Sequence, residues 1–463
     1  MPLGGDTFGT IASNANFLPA DRGLAFQRLH DMGVRALRID LTWAFIEQTP
    51  GHYDWSFVDG EVADAQRAGL QVIGILCCGN KLYSTLGAAS DQTPVGSGGG
   101  LPPFQIGWSA LYPPDDPADY ARFAGAAAAH FAGRIGAWEI WNEENQGYRF
   151  WEPHEDPAAY GKLLCAAHDA IKAQDQTAPV LFGGVFYPAV PTTGAGTPGA
   201  PGTSGPDFVK GAYQADPELG RCYDVMAYHP YPYPFTAPEL DVPVRGSVLA
   251  AADGMRAAMG SDSQTHPLWI TEVGWPTHSE TYGVSELKQA QYSARMAAAT
   301  FAQGLPVLTY YTYGDAADPT GGADQEAWFG FFRADGSPKP VVKALTTLTT
   351  ELSGTTFAAD LSEQLGLPAG QNMTGGRGFA LRFAGGGRTV TVVWLANESA
   401  FEGQGGLPDG GTVTPATQTV RVPVSGTDVR VVSMLGDSAP AQIVDGAVTV
   451  QAGASPQYIV QTG

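Results

Sequence analysis

Two glutamates stand where a chemical step could be shared between two carboxyl groups. Glu143 lies in the run AWEIWNEENQ (137–146), and Glu272 in LWITEVGW (268–275). Each follows a short apolar run and is flanked by tryptophan, Trp141 and Trp151 for the first and Trp269 and Trp275 for the second. Two carboxyl groups facing one centre can protonate a departing oxygen and attack or stabilise the cationic carbon left behind, which is what cleavage of a glycosidic bond requires. Aromatic faces supply a surface on which a sugar ring can stack. A lone glutamate is usually a solvated surface group. The weight therefore rests on the pair and on its apolar setting in a chain with only 15% charged residues.

The elements that would position this pair are legible in the hydrophobic pattern. Strands are predicted at 7–12, 34–41, 70–76, 135–141, 180–185, 223–229, 268–273 and 306–313. Helices are predicted between them, from Asp21 to Gly33 and at 57–68, 120–133, 157–173, 207–215, 248–259 and 285–303, with a last one after Pro340. Strict alternation implies a parallel sheet with helical crossovers, and the count of eight strands points to an α/β fold, a closed (β/α)8 barrel. An open doubly wound sheet is the alternative, but no GxGxxG turn follows the first strand. In a barrel, residues just past the strand ends line the mouth, and strands four and seven face each other there, so Glu143 and Glu272 should converge. From about residue 350 the texture changes to short alternating strands such as RTVTVVWLAN, QTVRVPV and GAVTVQA with Gly and Pro turns, expected to form a smaller all-β sandwich. The expected domains are thus a barrel over 1–349 and a sandwich over 350–463. Two Gly-, Pro- and Ser-rich stretches, 79–118 and 187–206, follow strands three and five and are expected at the rim of the mouth.

Charge narrows the partners. Lys and Arg number 25 against 46 acidic residues, a formal charge of −21, so no basic footprint for nucleic acid or an anionic membrane surface can form. A neutral partner, a carbohydrate, suits this balance. No run approaches 18 apolar residues, so no transmembrane helix is expected. The start MPLGGDTFGT has neither a charged n-region nor an apolar h-region. The chain is read as a secreted or periplasmic protein in its mature form, with a cytoplasmic location as the alternative. Four cysteines (Cys77, Cys78, Cys165 and Cys222) are too few for a disulfide scaffold, and Cys77 and Cys78 are expected as buried free thiols. No CxxC or HExxH pattern supports a zinc site. Asn372 and Asn397 begin glycosylation sequons.

EIWNEEN and WITEVGW resemble the acid/base and nucleophile motifs of clan A glycoside hydrolases, a retaining group built on (β/α)8 barrels. Within that clan the chain most resembles glycoside hydrolase family 39, which includes β-xylosidases and bacterial hydrolases that process exopolysaccharide. GVRALRIDLTWAFIEQTPGHYDWSFVD, FWEPHEDPAAYGKLLCAAHDAIK, DVMAYHPY and GFFRADGSPKPVVKAL are similar to family segments in order, covering most of residues 5–350. The resemblance implies that Glu143 is the acid/base and Glu272 the nucleophile. It implies that Asn142 binds the sugar 2-hydroxyl, that Arg38 and Tyr231 hold Glu272 ionised, and that His229 lines the same floor. Structural readings stand beside these: an ion pair of Arg38 with Asp40 or another barrel acid, and a satisfied core position for His229. Trp43, Trp141 and Trp275 are either sugar platforms or barrel-top packing, and Trp108, Tyr112, Tyr148, Tyr233 and Trp328 are rim candidates. The family usually has proline after the acid/base, where this chain has Glu144. A carboxylate there would raise the pKa of Glu143 or pair with a loop cation, and it makes Glu144 a rival for the catalytic role. The implied reaction is a retaining double displacement that needs no metal or organic cofactor. Retention calls for carboxyl groups about 5–5.5 Å apart, inversion for roughly 6.5–9.5 Å. Transglycosylation by the same residues and sugar binding without turnover are the alternatives.

Overall fold

The computed structural model describes residues 9–90, 108–147, 149–187, 203–232, 235–240, 247–278, 283–316, 325–369, 377–396, 417–426 and 428–462. Eight parallel strands close into a barrel in chain order: β1 (Thr10–Asn14), β2 (Ala36–Thr42), β3 (Gln71–Cys77), β4 (Ala137–Ile140), β5 (Val180–Phe186), β6 (Val225–His229), β7 (Leu268–Ile270) and β8 (Val307–Tyr310). Around it lie α1 (Arg22–Asp31), α2 (Ser56–Arg67), α3 (Pro117–His130), α4 (Pro157–Gln174), α5 (Gly205–Ala215), α6 (Ala251–Met259), α7 (Glu286–Ala302) and α8 (Pro340–Leu352). The strand expected at 7–12 begins at Thr10 and runs on to Asn14, and β7 ends at Ile270, so Glu272 projects from beyond the strand.

Local chemistry starts these helices where the sequence places them. The Asp21 carboxylate accepts from the Leu24 N–H and the Ser285 hydroxyl from Lys288 N–H, each capping an orphan donor of a first turn. Asp-Pro pairs open α3 and α4, the aspartate capping and the proline supplying a preset φ where no N–H is needed.

Strand alternation divides the barrel into layers. Leu37, Ile39 and Leu41 of β2 point outward into the helix-facing core. Ile73, Ala137, Leu181, Val225, Ala227, Trp269 and Val307 form a separate apolar cluster that fills the lower interior. Two residues further along the chain the same inward face carries Glu139 of β4, His229 of β6 and Thr271 just past β7. An apolar plug therefore lies under a polar layer.

The C-terminal part is two antiparallel sheets. β9 (Thr356–Asp360), β10 (Arg377–Gly385), β11 (Arg388–Ala396), β13 (Asp428–Ser433), β14 (Ser438–Pro440) and β17 (Gln457–Thr462) form one, in the order β14-β13-β17-β11-β10-β9. β12 (Gln418–Pro423), β15 (Ile443–Val444) and β16 (Ala447–Ala452) form the other. Val393, Leu395 and Ile459 pack on Val420, Val448 and Val450 between the sheets. The opposite face, with Phe383, Val392, Trp394 and Tyr458, belongs to the same apolar cluster as the barrel helices. Helix α8 runs to Leu352, past the expected boundary at 349, because its apolar face continues to Leu348 and Leu352.

The cysteines correct one expectation. Cys77 and Cys78 are joined to each other rather than free, and Cys165 of α4 is joined to Cys222 just before β6. The fold brings the latter pair to a Cα separation of 4.6 Å across 57 residues, within the ordinary reach of a disulfide. Asn372 and Asn397 lie outside the described residues.

Candidate active site

Glu143 and Glu272 meet at the mouth. The chain leaves β4 through two left-handed residues, Trp141 (φ 75°) and Glu143 (φ 47°), a costly conformation for side chains of this size and one that clusters at functional sites. A carboxylate oxygen of Glu143, one of Glu272 and a ring nitrogen of His229 all lie within 4.8 Å of one another. Glu143 and Glu272 are 3% and 9% exposed, so both groups act in a medium that strengthens every charge contact.

The two carboxylates are held differently. Glu272 Oε1 accepts from Arg38 Nη1 at 2.6 Å and from Asn14 Nδ2 at 3.2 Å, and Oε2 accepts from the Tyr231 hydroxyl at 2.8 Å. Burial pushes its pKa up, but His229, Arg38 and Tyr231 outweigh that and leave it below the usual carboxylate value. Glu143 Oε1 faces His229 Nδ1 at 2.8 Å, and its Oε2 accepts from the Gln146 side-chain amide.

Arg38 also grips Glu139, through Nε at 2.8 Å and Nη2 at 3.0 Å, and Nη2 reaches Asn142 Oδ1 at 2.9 Å. Its ion pairs are with Glu139 and Glu272, not Asp40. Burial alone would raise the Glu139 pKa, yet Arg38 first and His229 second hold it at about 2. Thr271 Oγ1 donates to Glu139 Oε1 and meets His229 Nε2, both at 3.1 Å. Burial would lower the His229 pKa, but the charges of Glu272, Glu139 and Glu143 raise it to about 9.

Two consecutive glycines of β5 make room for this cluster. A Cβ on Gly184 would lie 2.0 Å from His229 Nε2, and one on Gly183 would lie 2.2 Å from Glu144 Oε2.

Glu144 is fully buried, and neither carboxyl oxygen has a hydrogen-bond partner among the described residues. Burial drives its pKa well above the ordinary carboxylate value, which favours the protonated form. Among the described residues it pairs with no loop cation. Its carboxyl lies against Gly183.

The tryptophans singled out by sequence are packing residues. Trp43 is stacked between Tyr83 and Phe123 with its N–H on Glu47, Trp141 donates to Phe150 O, and Trp275 donates to Thr236 O. Each is at most 1% exposed, so no ring face is open to a sugar. Among the described residues, half-buried aromatic rings lie instead at Phe186, Tyr231 and Tyr311 beside Glu272: Phe186 packs on Tyr231 at a centroid distance of 6.1 Å, and Tyr231 and Tyr311 meet Phe329 at 5.9 and 5.3 Å. Tyr112 and Trp328 are half-buried, while Tyr148, Tyr233 and the Trp108 side chain lie outside the described residues.

Asn14, Glu139, Gln146 and Thr271 escape the motif reading. The available signal is strand parity: Glu139 shares a face with Ala137 and Thr271 with Trp269, both interior residues. Glu143, His229 and Glu272 have the spacing of a metal site. Glu272 is already held by the Arg38 guanidinium on Oε1 and the Tyr231 hydroxyl on Oε2, so the donor set suits proton and carbon chemistry better.

No protein-family model matches the sequence, and no curated protein does. Solved structures do match the fold. A family 39 glycoside hydrolase from the gut symbiont Bacteroides cellulosilyticus WH2 has a TM-score of 0.69 at 19% identity, covering 99% of this chain and 82% of its own. A monomeric beta-xylosidase from Caulobacter crescentus CB15 has a TM-score of 0.62 at 17% identity, covering 98% and 96%. A family 30 endoxylanase from Clostridium papyrosolvens C71 has a TM-score of 0.59 at 14% identity, covering 99% and 97%. The chain has the fold of the family 39 glycoside hydrolases, a clan A barrel, with family 30 also similar.

Proposed function

We propose that this chain is a retaining glycoside hydrolase in which Glu272 attacks the anomeric carbon and Glu143 supplies and recovers the proton. One observation carries the reading: carboxylate oxygens from the ends of β4 and β7 lie within 4.8 Å of each other in a buried mouth. That proximity suits direct attack by one carboxylate, whereas inversion needs roughly 6.5–9.5 Å to admit a water molecule. The partners of the two groups support the division of roles. Glu272 is kept ionised by a cation and a phenol donor, as a nucleophile must be. Asn142 spends Oδ1 on Arg38, which leaves its Nδ2 as a donor for a sugar hydroxyl. Phe186, Tyr231 and Tyr311 offer the apolar surface for the ring.

The substrate is a neutral carbohydrate, in keeping with the acidic chain and the fold it shares with glycosidases. The two disulfides support an oxidising compartment, hence secretion or a periplasmic location.

The test is a panel of aryl α- and β-glycosides and polysaccharides with Glu272→Ala and Glu143→Ala alongside. Glu272→Ala should abolish turnover. Glu143→Ala should lose it on poor leaving groups, and on activated aryl leaving groups azide, which needs no general base, should speed release of the glycosyl-enzyme as the glycosyl azide. Full activity in Glu272→Ala would refute the assignment.

A further inference from the structure

We infer that Glu143 and His229 hold one catalytic proton jointly, and that Thr271 and Glu139 are the positioning residues that keep the imidazole able to share it. This rests on the hydrolase reading above. The Thr271 hydroxyl gives its only hydrogen to Glu139 Oε1, so toward His229 Nε2 at 3.1 Å it can only accept. Glu139 Oε1 itself lies 3.8 Å from the same nitrogen and favours a proton there. With Nε2 protonated, Nδ1 is left facing Glu143 Oε1 at 2.8 Å. A ring nitrogen and a carboxyl oxygen that close require one proton between them, carried by either atom.

The proton balance follows. At rest the Glu143–His229 pair is neutral overall and Glu272 carries one negative charge. As Glu272 bonds to the anomeric carbon, the leaving oxygen keeps the electron pair of the broken C–O bond and takes the shared proton. Glu272 is then a neutral ester, while a carboxylate faces an imidazole lone pair with no proton between them. That arrangement is strongly basic at the moment water must lose a proton. Water returns the proton to the pair, its oxygen bonds the anomeric carbon, and Glu272 departs as carboxylate.

The surroundings favour this cycle. Among the described residues, the charged and titratable groups around the ring are Glu139 from β4, Glu143 and Glu144 beyond its end, Glu272 after β7, Arg38 from β2 and Tyr231 after β6. The Glu272 charge is foremost among those that raise the His229 pKa, and the ester removes it. Without its anchor at Thr271, a neutral ring can protonate Nδ1 instead, donate to the Glu143 carboxylate and blunt the base.

Thr271→Val and Thr271→Ser test this with a dinitrophenyl glycoside, whose leaving group needs no acid. The valine variant should lower kcat about tenfold by slowing the second step. KM should fall in parallel, kcat/KM stay unchanged, and a burst of dinitrophenol matching the enzyme concentration appear. Serine should restore the wild-type pattern. An equal loss in kcat and kcat/KM without a burst, or no rescue by serine, would overturn the inference. A second measurement needs no turnover: 15N NMR of histidine-labelled wild-type protein, with His229 assigned from the His229→Asn spectrum. On raising the pH the ring should lose the Nδ1 proton and keep Nε2–H, and loss of Nε2–H first would overturn the inference. A wild type inactive on every glycoside would refute the hydrolase reading, and the NMR result would still decide the tautomer.

Discussion

Arg38 meets Glu272 with one of its three guanidinium nitrogens and spends the other two on Glu139. The nucleophile is therefore held by a cation that is itself fixed by a second buried carboxylate. Arg38→Met leaves both carboxylates uncompensated and should cost about 3–5 kcal/mol of stability, read by denaturant unfolding. Arg38→Lys keeps the charge but loses the fork and should lower kcat about 10- to 100-fold. A lysine variant with wild-type kcat would show that charge alone suffices.

Tyr231 contributes one hydrogen bond to Glu272 Oε2. Its removal in Tyr231→Phe should leave the fold intact and reduce kcat/KM by about 10- to 100-fold, the usual worth of a bond to a charged group. Parallel thermal melts of variant and wild type check that the loss is catalytic.

Glu144 gives a pH signature. Its folded-state pKa is raised, so between the unfolded value near 4.3 and the folded value the native state binds one more proton than the unfolded state. Its contribution is fully present below about pH 4.3 and is lost as pH rises, at about 1.4 kcal/mol per pH unit. Glu139 and Glu272, whose pKa values are depressed, tilt the opposite way and lose stability as pH falls. The difference between Glu144→Gln and wild type isolates the first effect: the variant should gain relative stability from pH 5 to pH 8. A flat difference across that range would contradict a raised Glu144 pKa.

Gly184→Ala places a methyl group where the His229 ring sits. It should cost about 1–3 kcal/mol by overpacking. It should also displace the imidazole from Glu143, visible as a changed pH profile of kcat.

Much of this was legible in the sequence, for a physical reason. Parallel strands buried on both faces read as short apolar runs, so eight strand tips could be placed within a few residues, and with them Glu143, His229 and Glu272. Glu139 was hidden because a single charge inside AWEIW gives no local sign that Arg38, 101 residues away, neutralises it. Residue type did not reveal orientation either. Trp43, Trp141 and Trp275 look like sugar platforms until burial shows their rings enclosed, whereas Phe186 and Tyr311 drew no notice. Disulfide pairing depends on distances that only the folded chain supplies.

Glu239, in the segment after β6, binds Arg295 of α7 through both carboxylate oxygens and accepts from the indole of Trp394 in β11. Arg295 also donates to Ala454 O beside β17. Glu239→Ala should destabilise barrel and sheets in one transition, by about 3–5 kcal/mol.

That brace also bears on the order in which the protein is made. Synthesis completes the last barrel helix at Leu352, yet the indole that Glu239 requires arrives 42 residues later and the Ala454 carbonyl after 102. Until then a newly made barrel shows the ribosome's surroundings the apolar flank that Trp394 and Tyr458 will cover. The C-terminal sheets thus act as a closing seal on nascent chains, and a chain stopped at Leu352 should be captured by chaperones rather than released as a free-standing barrel.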